Sequence, residues 1–134
     1  MDVFVIDAEA AVALALRDHT PGRDREIYAP TLLRSQVLAL CRTKVVDGSM
    51  GQAAALGLAE RACRLPRRLL GDAVPRRTGW KLADDHGWAS TYDAEYIALT
   101  QLHGVALVAG SDALRELAAP LVHTETVDSF ADHA

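Results

Sequence analysis

Cysteine is scarce in this chain. Cys41 and Cys63 are the only two, and they lack the CxxC spacing of a redox or zinc motif. They read as buried free thiols in a reducing cytoplasm. No stretch reaches the roughly 18 consecutive apolar residues that a membrane-spanning helix needs. The opening MDVFVIDAEA carries acids at Asp2 and Asp7 and no basic segment, which argues against a signal peptide. Low-complexity tracts, linkers and internal repeats are missing as well, and so is a glycine-rich phosphate loop. His19, His86, His103, His123 and His133 show neither HExxH nor other ligand spacing, and they read as surface or helix-end residues. Ser35, Ser90 and Ser111 have no GxSxG context, so a serine hydrolase is not supported.

What the chain does have is apolar content. Half of its 134 residues are hydrophobic, enough for one domain spanning residues 1–134 around a single core. The net charge of −4 does not advertise nucleic-acid binding. Its distribution is uneven, because Arg61, Arg64, Arg67, Arg68, Arg76 and Arg77 cluster within residues 61–77. Such a run is either a solvated face or a positive rim for phosphates or an acidic partner.

The pattern predicts alternating strands and helices. Val3–Ile6 (VFVI) is a non-alternating β-branched run, as expected of a strand buried on both faces. The alanine- and leucine-rich Ala8–Leu16 follows as a helix, and His19–Glu26 reads as a charged loop. Pro30 opens a helix, PTLLRSQVLALCRTKVV, that stops near Gly48, and Gln52–Cys63 forms another. Leu69–Leu70 suggests a very short strand between Pro66 and Pro75. Helices are then expected over Arg76–His86, closed by Gly87, and over Asp93–His103, closed by Gly104. Val105–Ala109 is a second buried strand, Ser111–Ala118 a short helix that Pro120 ends, and Val122–Val127 an edge strand. Strands separated by helices imply βαβ units, hence an α/β fold with a parallel sheet. Ligand sites in such sheets lie outside the carboxyl ends of the strands.

Three acids stand at such junctions. Asp7 ends the first strand, Asp93 opens a helix, and Asp112 begins the helix after the second buried strand. Each one alone reads as a helix cap, worth about 1 kcal/mol. Gathered on one sheet edge, carboxylates repel one another unless a cation compensates. Hard oxygen ligands suit Mg²⁺ or Mn²⁺, which can activate a water and stabilise a phosphodiester under in-line attack.

The segments VIDAEAAVAL, PTLLRSQVLALCR and WASTYDAEYIALTQLHGVALVAGSD together resemble the PIN domain, and more narrowly the toxin subunits of VapBC toxin–antitoxin pairs. YDAEYIALTQLHG is the most specific part, and the order and spacing match over nearly the whole chain. The resemblance implies a three-layer α/β/α sandwich with a central parallel sheet. It also implies cytoplasmic endoribonuclease activity with Mg²⁺ or Mn²⁺, a cognate antitoxin whose tail blocks the cleft, and a homodimer. Asp7 matches the acid of the first strand and Asp93 the acid of the YDA motif. Two positions depart from the family pattern. Gln36 stands where a glutamate is usual, keeping a coordinating carbonyl oxygen but losing the charge. Asp112 comes one residue later than the usual acid, a shift that turns a helical side chain by about 100° unless the loop at Gly110 absorbs it.

The expected site is therefore Asp7, Asp93, Asp112 and Gln36, with the three aspartates as metal ligands. Glu9 and Glu95 read as first-turn acids favourable to their helix dipoles, and Glu9 has a second reading as the charge that replaces the one missing at Gln36. Trp80 and Trp88 read as core or subunit-interface anchors. Gln36 and the late Asp112 also favour a different class of function, a catalytically weakened domain acting by binding an antitoxin or RNA. A phosphatase-like α/β domain would want a lysine after a later strand, whereas Lys44 and Lys81 fall inside predicted helices.

Overall fold

Asp2–Ile6 forms strand β1, and its last three residues are buried as the non-alternating run predicts. In the computed structural model, which describes residues 1–132, β1 lies at the centre of a five-stranded sheet. The other strands are β2 (Arg25–Pro30), β3 (Arg68–Leu70), β4 (Ala106–Val108) and β5 (Thr124–Glu125). Their order across the sheet is β3-β2-β1-β4-β5, and every pairing is parallel. The helices are α1 (Ala8–Leu16), α2 (Leu32–Val46), α3 (Gln52–Arg64), α4 (Ala73–His86), α5 (Tyr92–His103), α6 (Asp112–Ala118) and α7 (Val127–Asp132). Helices α1, α2 and α3 pack on one another, whereas α4 packs on α5, which lies against β1, β2 and β4. Successive residues of β1 face opposite layers. Phe4 meets Phe130 of α7 edge-on, while Val5 faces the end of α5 at Gly104. The protein is thus a three-layer α/β/α sandwich, as expected.

Two elements were not legible in the sequence. Strand β2 takes in the end of the expected loop, the unassigned Ile27–Ala29 and the Pro30 expected to open a helix, and it pairs with β1 from Asp2↔Arg25 to Val5↔Tyr28. Its charges are accommodated by partners elsewhere. The Arg25 guanidinium covers the rings of Phe4 and Phe130 and donates to the Phe130 carbonyl, and Glu26 pairs with Arg67 at 2.6 Å. Pro30 closes the strand, where its missing N–H costs least. The second is α7, whose Phe130 is fully buried. Helix α4 also starts earlier than Arg76, since Pro75 is tolerated in a first turn. Among the described residues no helix is long and apolar enough to cross a membrane.

Several side chains differ from expectation. Trp80 is not a core anchor, being 70% exposed. Trp88 is half-buried and stacks on His86. His19 is half-buried against Phe130, with no partner for its buried Nε2. His133 lies outside the described residues. Both cysteines are free, Cys41 buried and Cys63 half-buried. Of the arginine cluster, Arg64 pairs with Glu60, Arg67 with Glu26, and Arg68 lies over Tyr28.

Candidate functional site

The strand order places the site. From β1 the chain first builds outward through β2 and β3, then returns to the other side of β1 with β4 and β5. The point of reversal lies between β1 and β4. Neighbouring connections diverge there at the carboxyl ends of the strands and leave a crevice. A cavity of about 340 Å³ occupies this position. Its wall takes Asp7 and Glu9 from the β1–α1 junction, Gln36, Leu40 and Thr43 from α2, Asp93 and Tyr96 from α5, and Ser111 at the start of α6.

Asp7 is the best-anchored residue of the cavity and is 4% exposed. Its Oδ1 accepts from the N–H of Ala10 at 2.8 Å, capping α1, and from the N–H of Gly110 at 2.9 Å. Oδ2 accepts from the N–H of Ser111 at 3.3 Å. Cap and site residue are thus one. Burial raises the carboxyl pKa, against the lowering effect of the three amides, and the charge of Asp93 raises it further. Gly110 is required by close approach: a Cβ there would lie 2.8 Å from Ala10 N and from Glu9 C and Cβ.

Asp93 is not a cap. Thr91 holds that position, and Asp93 falls in the first turn of α5 at the edge of the cavity. Partial burial pushes its pKa up. One helical turn on, the buried Tyr96 donates its O–H to Gln36 Oε1 at 2.6 Å. Burial first, and then the charges of Asp7, Glu95 and Asp93, hold the Tyr96 phenol far above its usual pKa, so it remains a donor.

Asp112, expected as a metal ligand, is not among the residues lining the cavity. Ser111 takes the N-cap of α6, accepting from Leu114 N at 3.2 Å, and it faces the cavity. The following residue is rotated away from that side. Asp112 pairs instead with Arg115, its side chain 86% exposed, and Gly110 does not absorb the shift. Its charge is still felt at the rim by Glu9, whose pKa is raised by burial and then by Asp7 and Asp112. Glu9 does line the cavity, in keeping with its second reading.

Tyr96, Thr43 and Ser111 escaped the sequence reading. A signal existed for the first two: Tyr96 is three residues after Asp93, and Gln36, Leu40 and Thr43 recur at helical spacing on α2. Ser111 became readable only once the strand end and the cap position were known.

Among the described residues, no three His, Cys, Asp or Glu side chains come together as a closed metal shell. The cavity instead has two carboxylates that interact electrostatically, Asp7 and Asp93, with Glu9 also in its wall. That donor set fits Mg²⁺ or Mn²⁺, which commonly bind through one or two carboxylates and keep several waters.

No protein-family model matches the chain, and no curated protein matches it. The chain is similar to a solved structure, the crystal structure of PAE2754 from Pyrobaculum aerophilum. The TM-score is 0.75 at 19% identity, over 98% of this chain and 96% of that one. The likeness is one of fold, over nearly the full length.

Proposed function

We propose that the protein is a metal-dependent endoribonuclease of the PIN type, acting in the cytoplasm as the toxin of a type II toxin–antitoxin pair. The observation that carries this reading is the convergence of Asp7 and Asp93 in one cavity at the switch point of the parallel sheet. The resemblance of VIDAEAAVAL and YDAEYIALTQLHG to that family supplies the reaction class. Asp7 and Asp93 would hold Mg²⁺ or Mn²⁺. When bound, such an ion lowers the pKa of a water and offsets charge developing on a phosphodiester. The chain contributes a carboxylate locked by three amides at Asp7, a second one at the mouth at Asp93, and a further negative wall at Glu9. An antitoxin and a second copy of the chain are the proposed protein partners. A groove between α2 and α3, bordered by the exposed Leu38 and Leu56, supports a protein-binding role.

A second reading, a catalytically weakened domain that acts by binding its antitoxin or RNA, is favoured by the neutral Gln36 and by Asp112 pointing to Arg115. Purified protein, incubated with RNA and Mn²⁺, with chelator, and as Asp93→Asn and Gln36→Glu variants, decides between them. Metal-dependent cleavage lost by about 100-fold or more in Asp93→Asn supports the nuclease. Cleavage by Gln36→Glu alone supports the weakened domain. Cleavage that survives both chelator and Asp93→Asn overturns the metal mechanism.

A further inference from the structure

We infer that Gln36 serves this site as a hydrogen-bond donor to the phosphodiester of a bound RNA strand, held in that orientation by Tyr96, and not as a metal ligand. The inference rests on the reading of the cavity as a ribonuclease cleft, and deepens it by assigning the contact that seats the substrate.

The Tyr96 phenol sets the orientation of Gln36. It is buried at 1% exposure, and its proton needs an acceptor, because an unpaired buried donor costs about 1–3 kcal/mol. The acceptor is Gln36 Oε1, at 2.6 Å. A carboxamide has one oxygen and one NH₂ group, on opposite sides of the same carbon. Committing the oxygen to Tyr96 turns the Nε2 group away from the phenol. Gln36 is half-buried on the wall of the cavity, and no protein group among the described residues accepts from its Nε2. That nitrogen is also not a buried orphan, so it is accessible to solvent on a residue that lines the cavity.

An NH₂ group cannot coordinate a cation, since it carries no available lone pair. It binds anions and carbonyl oxygens. The other polar side chains of the wall are the carboxylates of Asp7, Asp93 and Glu9 and the hydroxyls of Thr43, Tyr96 and Ser111, and among them the Gln36 amide is a side-chain donor suited to a phosphate oxygen. A glutamate at position 36 would have no donor to offer. Oε1 keeps a second lone pair beside the Tyr96 bond, but without a negative charge it is a weaker cation ligand than a carboxylate, so the change to carboxamide shifts this position towards the substrate. Tyr96 is the positioning residue, because it decides which end of the amide faces the cavity.

The test separates RNA binding from metal binding. RNA affinity is read by anisotropy of a fluorescein-labelled single-stranded RNA of about a dozen nucleotides in Ca²⁺. Mn²⁺ affinity is read by calorimetry without RNA. The proteins are wild type, Gln36→Met, Tyr96→Phe and the double variant, in which no phenol is left unpaired. Gln36→Met is expected to weaken RNA binding about tenfold and Tyr96→Phe about threefold. The double variant is expected to bind no worse than Gln36→Met, since Tyr96 acts through Gln36. Mn²⁺ affinity is expected to stay within about twofold throughout. A parallel fall of Mn²⁺ affinity in Gln36→Met makes Gln36 a metal ligand and overturns the inference. Unchanged RNA affinity in Gln36→Met overturns it too, and so do additive losses in the double variant. If wild type binds the RNA but does not cut it with Mn²⁺, the nuclease reading falls while the role of Gln36 is still decided by these affinities. If wild type binds no RNA, both fall.

Discussion

The Asp7 carboxylate accepts three backbone N–H groups from two separate segments, α1 and the turn after β4, and so ties the first strand to the fourth at its carboxyl end. The same turn explains Gly110, whose N–H is one of the three donors. At this position a side chain would collide with the backbone of Glu9 and Ala10, which cannot swing aside as a flexible side chain would. Gly110→Ala is therefore expected to cost about 2 kcal/mol of stability through overpacking. In the proposed nuclease it should also depress Mn²⁺-dependent cleavage, because relief of the clash moves α1 away from the turn and loosens Asp7. Thermal unfolding followed by circular dichroism, together with cleavage assays on the same sample, reads both effects. An Ala variant as stable and active as wild type would contradict the close approach.

At the scale of the element, α7 depends on a small set of contacts. Phe130 is buried against Phe4 and under the Arg25 guanidinium, its carbonyl accepts from Arg25 at 2.8 Å, and Asp128 pairs with Arg17. Phe130→Ala removes the apolar part of this clasp and is expected to cost about 3–4 kcal/mol. A urea denaturation midpoint reads the loss, and a change below about 1 kcal/mol would argue that α7 is dispensable. Gly87, by contrast, ends α4 with φ +70°, and Gly87→Ala should cost about 1 kcal/mol through backbone strain alone. These two helix ends differ in how far they could be read. Gly87 is visible as a terminal glycine, because its cause is local conformation. The clasp around β2 and α7 is not visible, because Arg25 and Glu26 look like loop residues until Phe4, Phe130 and Arg67 arrive from other parts of the chain. Local polarity outweighed the short Ile27–Tyr28–Ala29 signal, and only the neighbouring strand could reverse that reading.

At the scale of the molecule, the cavity charges couple stability to pH and, in the proposed function, to metal. Asp7, Glu9 and Asp93 in the cavity wall, and Glu95 outside it, all have raised pKa values, chiefly from burial. A carboxyl whose folded pKa lies above its unfolded value contributes stability below about pH 4, and that stability is lost as pH rises through the raised value. Metal-free protein is therefore expected to lose stability as pH rises from about 4 through the raised values, and Asp7→Asn to flatten that slope. His19 acts with the opposite sign. Burial lowers its pKa, so its contribution is present above about pH 6.5 and is lost on acidification. It is common to wild type and Asp7→Asn and cancels in their comparison. A slope unaltered by Asp7→Asn would show that the buried carboxyl is not the source. Mn²⁺ should reverse the loss, adding about 2.7 kcal/mol at a hundred times its Kd, and Asp93→Asn should abolish the melting-temperature shift.

Taken alone, the sequence determined the α/β class, six of the helices and the strand–acid junction at Asp7, because each is written in local periodicity, capping and chain order. It also singled out Asp7, Asp93 and Gln36 as companions. Only the tertiary structure decided that Ser111 rather than Asp112 faces the cavity, that Asp93 is free of capping, and that Tyr96 sets the orientation of Gln36. Those outcomes depend on where a helix starts relative to a strand from elsewhere in the chain, and on which buried proton needs an acceptor. A side chain's direction within a shared cavity is a property of several segments at once, and no one segment carries it.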